Sequence, residues 1–391
     1  MKILILNWKD PKDPEAGGNE VTLFELASRL AQGGDVITWF ARRFDGASSE
    51  DAADGIEFIR RGGKWGVYFQ AYLFYRQLKD KPDAVIDVIN GAAWLTPLYV
   101  KEPILVFANQ LIDRVFFHQW PMLLAHLGRF WERFQYRWYR DVPILYYSRS
   151  IQRDLEEIGI PHHNLFPLTL GVDHQRYKPG AKSSTPLFVC VSRLVKWKRI
   201  DVCIHAMKQV CSNYPSANLV IVGKGPEGLK LKTLAKLLGL DGRVEFKEEK
   251  VFFYKKNSLD QKIPLLQKSW GLLLMSVKEG WGLVVSEANA CGTLAIVSGV
   301  PGLRDNVSHM ETGLLLTENP TPKEVAAAMC MIIETASLRE KMANNAMQKV
   351  ASLDWAHSVK ALRFYLSRLK PGAQISTPQA NDSDETEMYS C

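Results

Sequence analysis

No stretch of this chain reaches the roughly 18 to 20 uncharged apolar residues that a membrane-spanning helix needs. The opening run Met1-Lys2-Ile3-Leu4-Ile5-Leu6-Asn7 is short and lacks a small-residue cleavage site, so it reads as a first strand and not as a signal peptide. The expectation is a cytoplasmic protein. Cysteine is sparse: the six, at 190, 203, 211, 291, 330 and 391, show no paired metal spacing and fall mostly within apolar patterns. They read as reduced core residues, and no zinc or other metal is expected. A Gly-x-Gly-x-x-Gly fingerprint is also missing, which argues against a dinucleotide-dependent oxidoreductase.

What is present is ordinary in bulk and specific in detail. A chain of 391 residues exceeds what one core usually serves, so two domains are expected. A hydrophobic content of 47% and a charged content of 23% suit a globular protein, and a net charge of +7 suits phosphate-bearing partners. Apolar runs at 3–6, 35–42, 84–89, 104–108 and 143–148, then at 187–191, 218–222, 272–277 and 294–297, alternate with helical patterns. That alternation predicts doubly wound parallel sheets, with binding residues in the loops at the carboxyl ends of the strands.

The most informative stretch is Trp270 to Gly302. A strand over 272–277 leads into Lys278-Glu279-Gly280-Trp281-Gly282, then a helix from Leu283 to Cys291 stopped by Gly292, then a second strand. The glycine-rich loop opens onto a helix start, where unpaired N–H groups and the dipole favour an anion such as phosphate. Glu279 and Glu287 bracket that seat. As acceptors only, they suit sugar or ribose hydroxyls beside a phosphate, although each could also be a solvated surface glutamate.

Glu279-Gly280-Trp281-Gly282-Leu283, Ser286-Glu287-Ala288, Ala290-Cys291-Gly292, Pro301-Gly302-Leu303 and Glu311-Thr312-Gly313-Leu314-Leu315 together resemble the signature of the retaining nucleotide-sugar glycosyltransferases of family 4. The resemblance covers almost all of residues 1–370 and is strongest in the second half. It implies the GT-B fold: two facing Rossmann-like α/β domains, each a doubly wound parallel sheet. The expected divisions are an acceptor-side domain over 1–170, a nucleotide-sugar-binding domain over 186–352, a helix over 353–370 crossing back, and a disordered tail over 371–391. Ala181–Thr185 reads as a polar linker.

The resemblance also assigns roles. Arg193 and Lys198, after the strand 187–191, stand where the family grips the donor diphosphate; by spacing alone, four cations in this turn could be solvated. Gly280, Gly282, Leu283 and Val284 supply the phosphate seat, Glu279 holds sugar hydroxyls and Glu287 the ribose. Gly17 and Gly18 match the family's Gly-Gly loop facing the donor; taken alone, they are what any turning loop would use. Asn109 stands where related chains have histidine. An asparagine can hydrogen-bond a sugar hydroxyl but cannot relay a proton. Arg193, Lys198, Glu279 and Asn109 are therefore the catalytic candidates, with a catalytically impaired nucleotide-sugar-binding protein as the alternative.

The implied reaction moves a hexose, with retention and without a metal or cofactor, from a nucleoside diphosphate sugar to a glycan or lipid-linked acceptor. Between 112 and 140 the chain is dense in aromatic and basic residues. Arg129, Arg133, Arg137 and Arg140 would line one helix face, and Phe130, Phe134 and Trp138 lean to another. Such a helix suits peripheral contact with an anionic membrane at its inner face, or packing between domains with the arginines solvated. Asp382-Ser383-Asp384 in the acidic tail is not read as a metal motif.

Overall fold

The computed structural model describes residues 1–248 and 261–369. The tail from 371, with its Asp-Ser-Asp, and most of the charged stretch after Lys247 lie outside the described residues. The chain forms two units. One comprises Met1–Phe116, Pro121–Thr169 and the chain from Ala356; the other comprises Phe117–Trp120 and Leu170–Trp355.

In the first unit the strands are β1 (Lys2–Leu6), β2 (Val36–Ala41), β3 (Glu50–Ala53), β4 (Ile56–Arg60), β5 (Ala84–Ile89), β6 (Ile104–Ala108), β7 (Ile144–Tyr146) and β8 (Leu165–Pro167). Among the described residues they make one sheet ordered β3-β4-β2-β1-β5-β6-β7-β8. All pairings are parallel except that of β3 with β4. β1 and β5 are buried along nearly their whole length, as strands covered by helices on both faces must be. The strand order reverses between β1 and β5, so the loops after them, which include Gly17, diverge at a natural ligand position.

The second unit has β9 (Leu187–Val191), β10 (Asn218–Val222), β11 (Val244–Lys247), β12 (Gly271–Leu274), β13 (Leu294–Val297) and β14 (Gly313–Leu315). Their order is β11-β10-β9-β12-β13-β14, all parallel. Here the order reverses between β9 and β12, and the candidate residues of this half follow those two strands. The helix Pro322–Glu334 is started by Thr321, whose hydroxyl accepts from Glu324 N–H while the Glu324 carboxylate accepts from Thr321 N–H.

Four expectations need correction. β12 stops at Leu274, because Met275–Val277 turn out of the sheet toward the loop after β9, where Val277 N–H donates to Trp197 O at 2.9 Å. The run 143–148, expected as the last strand of this half, is not the final one: β8 pairs beside β7. Ala181–Thr185 is docked, not a free linker: Lys182 Nζ donates to Thr293 Oγ1 at 2.6 Å and Trp270 Nε1 to Ser183 O at 2.9 Å. The basic-aromatic helix ends at Gln135, with Tyr136–Tyr139 a tighter turn, so the four arginines share no helical face.

Candidate functional site

In the second unit, the loop from Met275 to Gly282 passes from β12 into the helix Leu283–Ala290. Gly282, which caps that helix, has φ +81°, in the left-handed region that a side chain rarely adopts. A Cβ on Gly302, at φ +82°, would lie 2.3 Å from Glu279 O and 2.6 Å from Gly280 O. Gly282 is thus required by its backbone angle, and Gly302 by close backbone approach as well. Asn306 Nδ2 donates to Trp281 O at 3.0 Å, and Trp281 Nε1 to Ser286 Oγ at 3.1 Å. Together these hold the helix start, with the Leu283 and Val284 amides, in one conformation.

Glu279 and Lys198 come together as an ion pair with both side chains mostly buried, and Ser276 Oγ donates to the same Glu279 oxygen at 2.8 Å. The pairing follows from the topology, since the loops after β9 and β12 are neighbours. Arg193, in the same loop, has its guanidinium 5.8 Å from the Trp197 ring centroid. Arg199, next to Lys198, holds φ +50°, an uncommon backbone for a non-glycine residue. Its guanidinium reaches Pro320 O at 2.9 Å. Glu287, one turn into the helix, accepts from Tyr177 Oη at 2.8 Å and from Lys262 Nζ at 3.1 and 3.2 Å. Sequence reading missed Tyr177 and Lys262, because each is remote from the motif and neither carries a local signal.

In the first unit, Gly17 precedes the helix Gly18–Gln32, and its N–H donates to Glu20 Oε2 at 2.7 Å. The loop from Asn7 to Gly17 is shaped by charge. Asp10 pairs with Arg60 at the end of β4, both buried, and Arg42 pairs with the buried Asp13 at 2.8 Å. Burial pushes the Asp10 carboxyl up, against the pull of Arg60. Arg42 also lies 4.6 Å over the Trp8 ring.

Asn109 follows β6 and is only 4% exposed. Its amide donates to Ile89 O at 3.4 Å, and Tyr147 Oη donates to its backbone carbonyl at 2.5 Å. Among the described residues no group of three His, Cys, Asp or Glu side chains is placed to hold a metal ion, and no helix is long and apolar enough to cross a membrane.

Two family models match. "Glycosyl transferases group 1" matches residues 172–349 and "Glycosyltransferase Family 4" matches residues 16–176. The N-acetyl-alpha-D-glucosaminyl L-malate synthase of Bacillus anthracis is 30% identical over 213 residues, which is 52% of this chain and 53% of that protein. The D-inositol 3-phosphate glycosyltransferase of Rhodococcus jostii is 28% identical over 209 residues, 49% of this chain and 44% of that protein. The matched region thus spans about half the length of these curated relatives. Among solved structures, Anabaena Alr3699/HepE in complex with UDP and glucose superimposes with a TM-score of 0.73 at 17% identity, covering 94% of this chain and all of that one.

Proposed function

The chain belongs to the family 4 glycosyltransferases of GT-B fold, and on that premise we propose that it transfers a hexose from a nucleoside diphosphate sugar to an acceptor hydroxyl. The transfer proceeds with retention and without a metal ion. The observation that carries the reading is the Lys198–Glu279 pair beside the Gly282-capped helix start. On this reading the cation and the backbone N–H groups meet the charge that a departing diphosphate gathers, next to a carboxylate able to hold sugar hydroxyls.

In the proposed step the bond from the anomeric carbon to the diphosphate oxygen breaks, and the acceptor oxygen bonds to that carbon on the same face. The acceptor proton passes to the departing phosphate oxygen. Arg193, Lys198 and the Gly282–Val284 amides stabilise the leaving group, Glu279 holds the sugar and Glu287 the ribose. Asn109, buried against Ile89 O and Tyr147, supplies hydrogen bonding only. A relay of protons at that position is therefore no part of the reading, and its lack supports the second one, a protein that binds nucleotide sugars without turnover.

We further propose that the acceptor is borne on a lipid surface reached through the helix Met122–Gln135. Its polar Glu132 and Gln135 point inward, Glu132 accepting from the Ile112 and Asp113 amides at 2.6 and 3.0 Å. Leu123, Leu127 and Phe130 face out, Phe130 being 65% exposed. Arg129 and Arg133 are drawn to Asp113 at 2.6 and 3.7 Å, so the contact is made by apolar side chains, with cations at its flank.

The test is release of free nucleoside diphosphate from UDP, GDP and ADP sugars, with and without EDTA, lipid extract, oligosaccharides and small hydroxy acids. Release from one donor, unaffected by EDTA, supports metal-independent transfer and identifies the donor. Tight nucleotide binding without release, in wild type and in Asn109→His with every acceptor, would favour the binding-only reading.

A further inference from the structure

Lys262 occupies a position that local physics disfavours. It is the first residue of the helix Lys262–Lys268, where the dipole opposes a cation, and its side chain is only 5% exposed. Placing an ammonium there is unfavourable unless a partner compensates for lost water. The partner is Glu287, met by Nζ at 3.1 Å on Oε1 and 3.2 Å on Oε2. Tyr177, itself buried, completes the arrangement: its hydroxyl donates to Oε1 at 2.8 Å, and its ring centroid lies 5.1 Å from the ammonium. Two separate segments of the second unit therefore converge on one carboxylate.

The count of lone pairs gives this cluster a consequence. A carboxylate offers about four acceptor positions. Tyr177 takes one on Oε1, and Lys262 takes one on each oxygen. Among the described residues, this leaves a single position, on Oε2, for an incoming hydroxyl.

We propose that Lys262 and Tyr177 are positioning residues that fix Glu287 so that Oε2 reads one ribose hydroxyl of the donor nucleotide. Discrimination between a ribonucleotide and its deoxy analogue is then a property of all three residues. The proposal rests on the reading of Glu287 as the ribose contact. A site built to bond a hydroxyl rejects the analogue lacking it because its own polar group is left unpaired, and a carboxylate free to swing loses that selectivity. A purely structural clamp between two helices would make no distinction among nucleotides.

The experiment is calorimetric titration of the full chain with whichever of UDP, GDP and ADP binds tightest, and with its 2′-deoxy and 3′-deoxy forms. The wild type should favour the ribonucleotide over one of the two deoxy forms by about tenfold or more. Lys262→Met should lose about tenfold for the ribonucleotide while holding its affinity for that deoxy form within about twofold. Tyr177→Phe, which keeps the ring, should do the same to a smaller degree, and Lys262→Arg should restore discrimination. Melting curves check that each variant is folded; if Lys262→Met is not, Tyr177→Phe decides. Absence of nucleotide binding, or equal binding of all three forms by the wild type, would overturn the reading of Glu287 and this proposal with it. A discriminating wild type beside folded variants whose affinities change equally for all three ligands, or rise, or stay unchanged, would overturn the positioning role alone.

Discussion

Lys198 and Asp87 show how differently two buried charges can be used. Lys198 meets Glu279 before any ligand arrives, so the carboxylate is oriented by Lys198 and Ser276 together. If Lys198 acts on the departing diphosphate, the charge it meets grows in the transition state. Lys198→Ala should then lower turnover by roughly 100-fold or more while changing donor affinity far less. Equal losses in kcat and in binding would remove Lys198 from that role.

Asp87 lies within the apolar run of β5, fully buried, accepting from Thr96 Oγ1 at 2.5 Å and Tyr139 Oη at 2.6 Å. Burial raises its carboxyl to about 6, despite those two hydroxyls. Since an unfolded Asp titrates near 3.9, the folded state holds a proton over the window between, and stability falls as pH rises through it. Asp87→Asn cannot ionise. Its stability relative to wild type should therefore improve between pH 4 and pH 7.5, by on the order of 1 to 3 kcal/mol. Urea titrations at the two pH values measure this, and a pH-independent difference would contradict it.

Among the elements, the helix Met122–Gln135 departs most from what its sequence suggests. Periodicity can tell that a helix has two faces, but not which one meets the core. Here Glu132 and Gln135 are turned inward by backbone groups that need partners: the Ile112 and Asp113 amides, the Ala93 amide and the Gly91 carbonyl. The leucines and Phe130 are left outside. Fully burying one such side chain contributes roughly 1.5–3 kcal/mol, so several of them suffice for surface binding without anionic lipid. Vesicles of neutral phosphatidylcholine should pull down the wild type, and Leu127→Ser with Phe130→Ser should release it. Concentration-dependent self-association with no vesicle binding would point instead to a second copy of the chain as the occupant.

The glycine-rich elements behaved more transparently. Gly282 at φ +81° and Gly302 against the Glu279 and Gly280 carbonyls need glycine for reasons that the motif already implies. The loop after β1 is another matter. Gly17 and Gly18 are visible in the sequence, but the path to them depends on Asp10 with Arg60 and Asp13 with Arg42, partners 50 and 29 residues apart.

For the whole molecule, each unit has its own sheet and its own core, so unfolding need not be a single transition. A nucleotide bound by the second unit stabilises that unit, by about 2.7 kcal/mol at a concentration of 100 times Kd. Calorimetry with saturating nucleoside diphosphate should raise the transition that contains residues 170–355 and leave an independent first transition in place. A rise confined to the other transition would put the nucleotide on the first unit.

By itself the sequence determined the class of both sheets, the strand-loop-helix unit after β12 and the family, because these depend on local periodicity, on glycine placement and on motifs contiguous in the chain. Only the tertiary structure decided that Lys198 pairs with Glu279, that Tyr177 and Lys262 close on Glu287, and that Glu132, not Phe130, faces the interior. Those outcomes turn on which buried polar groups find partners across 81, 110, 25 and 20 residues of chain. Hydrogen bonds and ion pairs at such separations leave no periodic trace in the sequence.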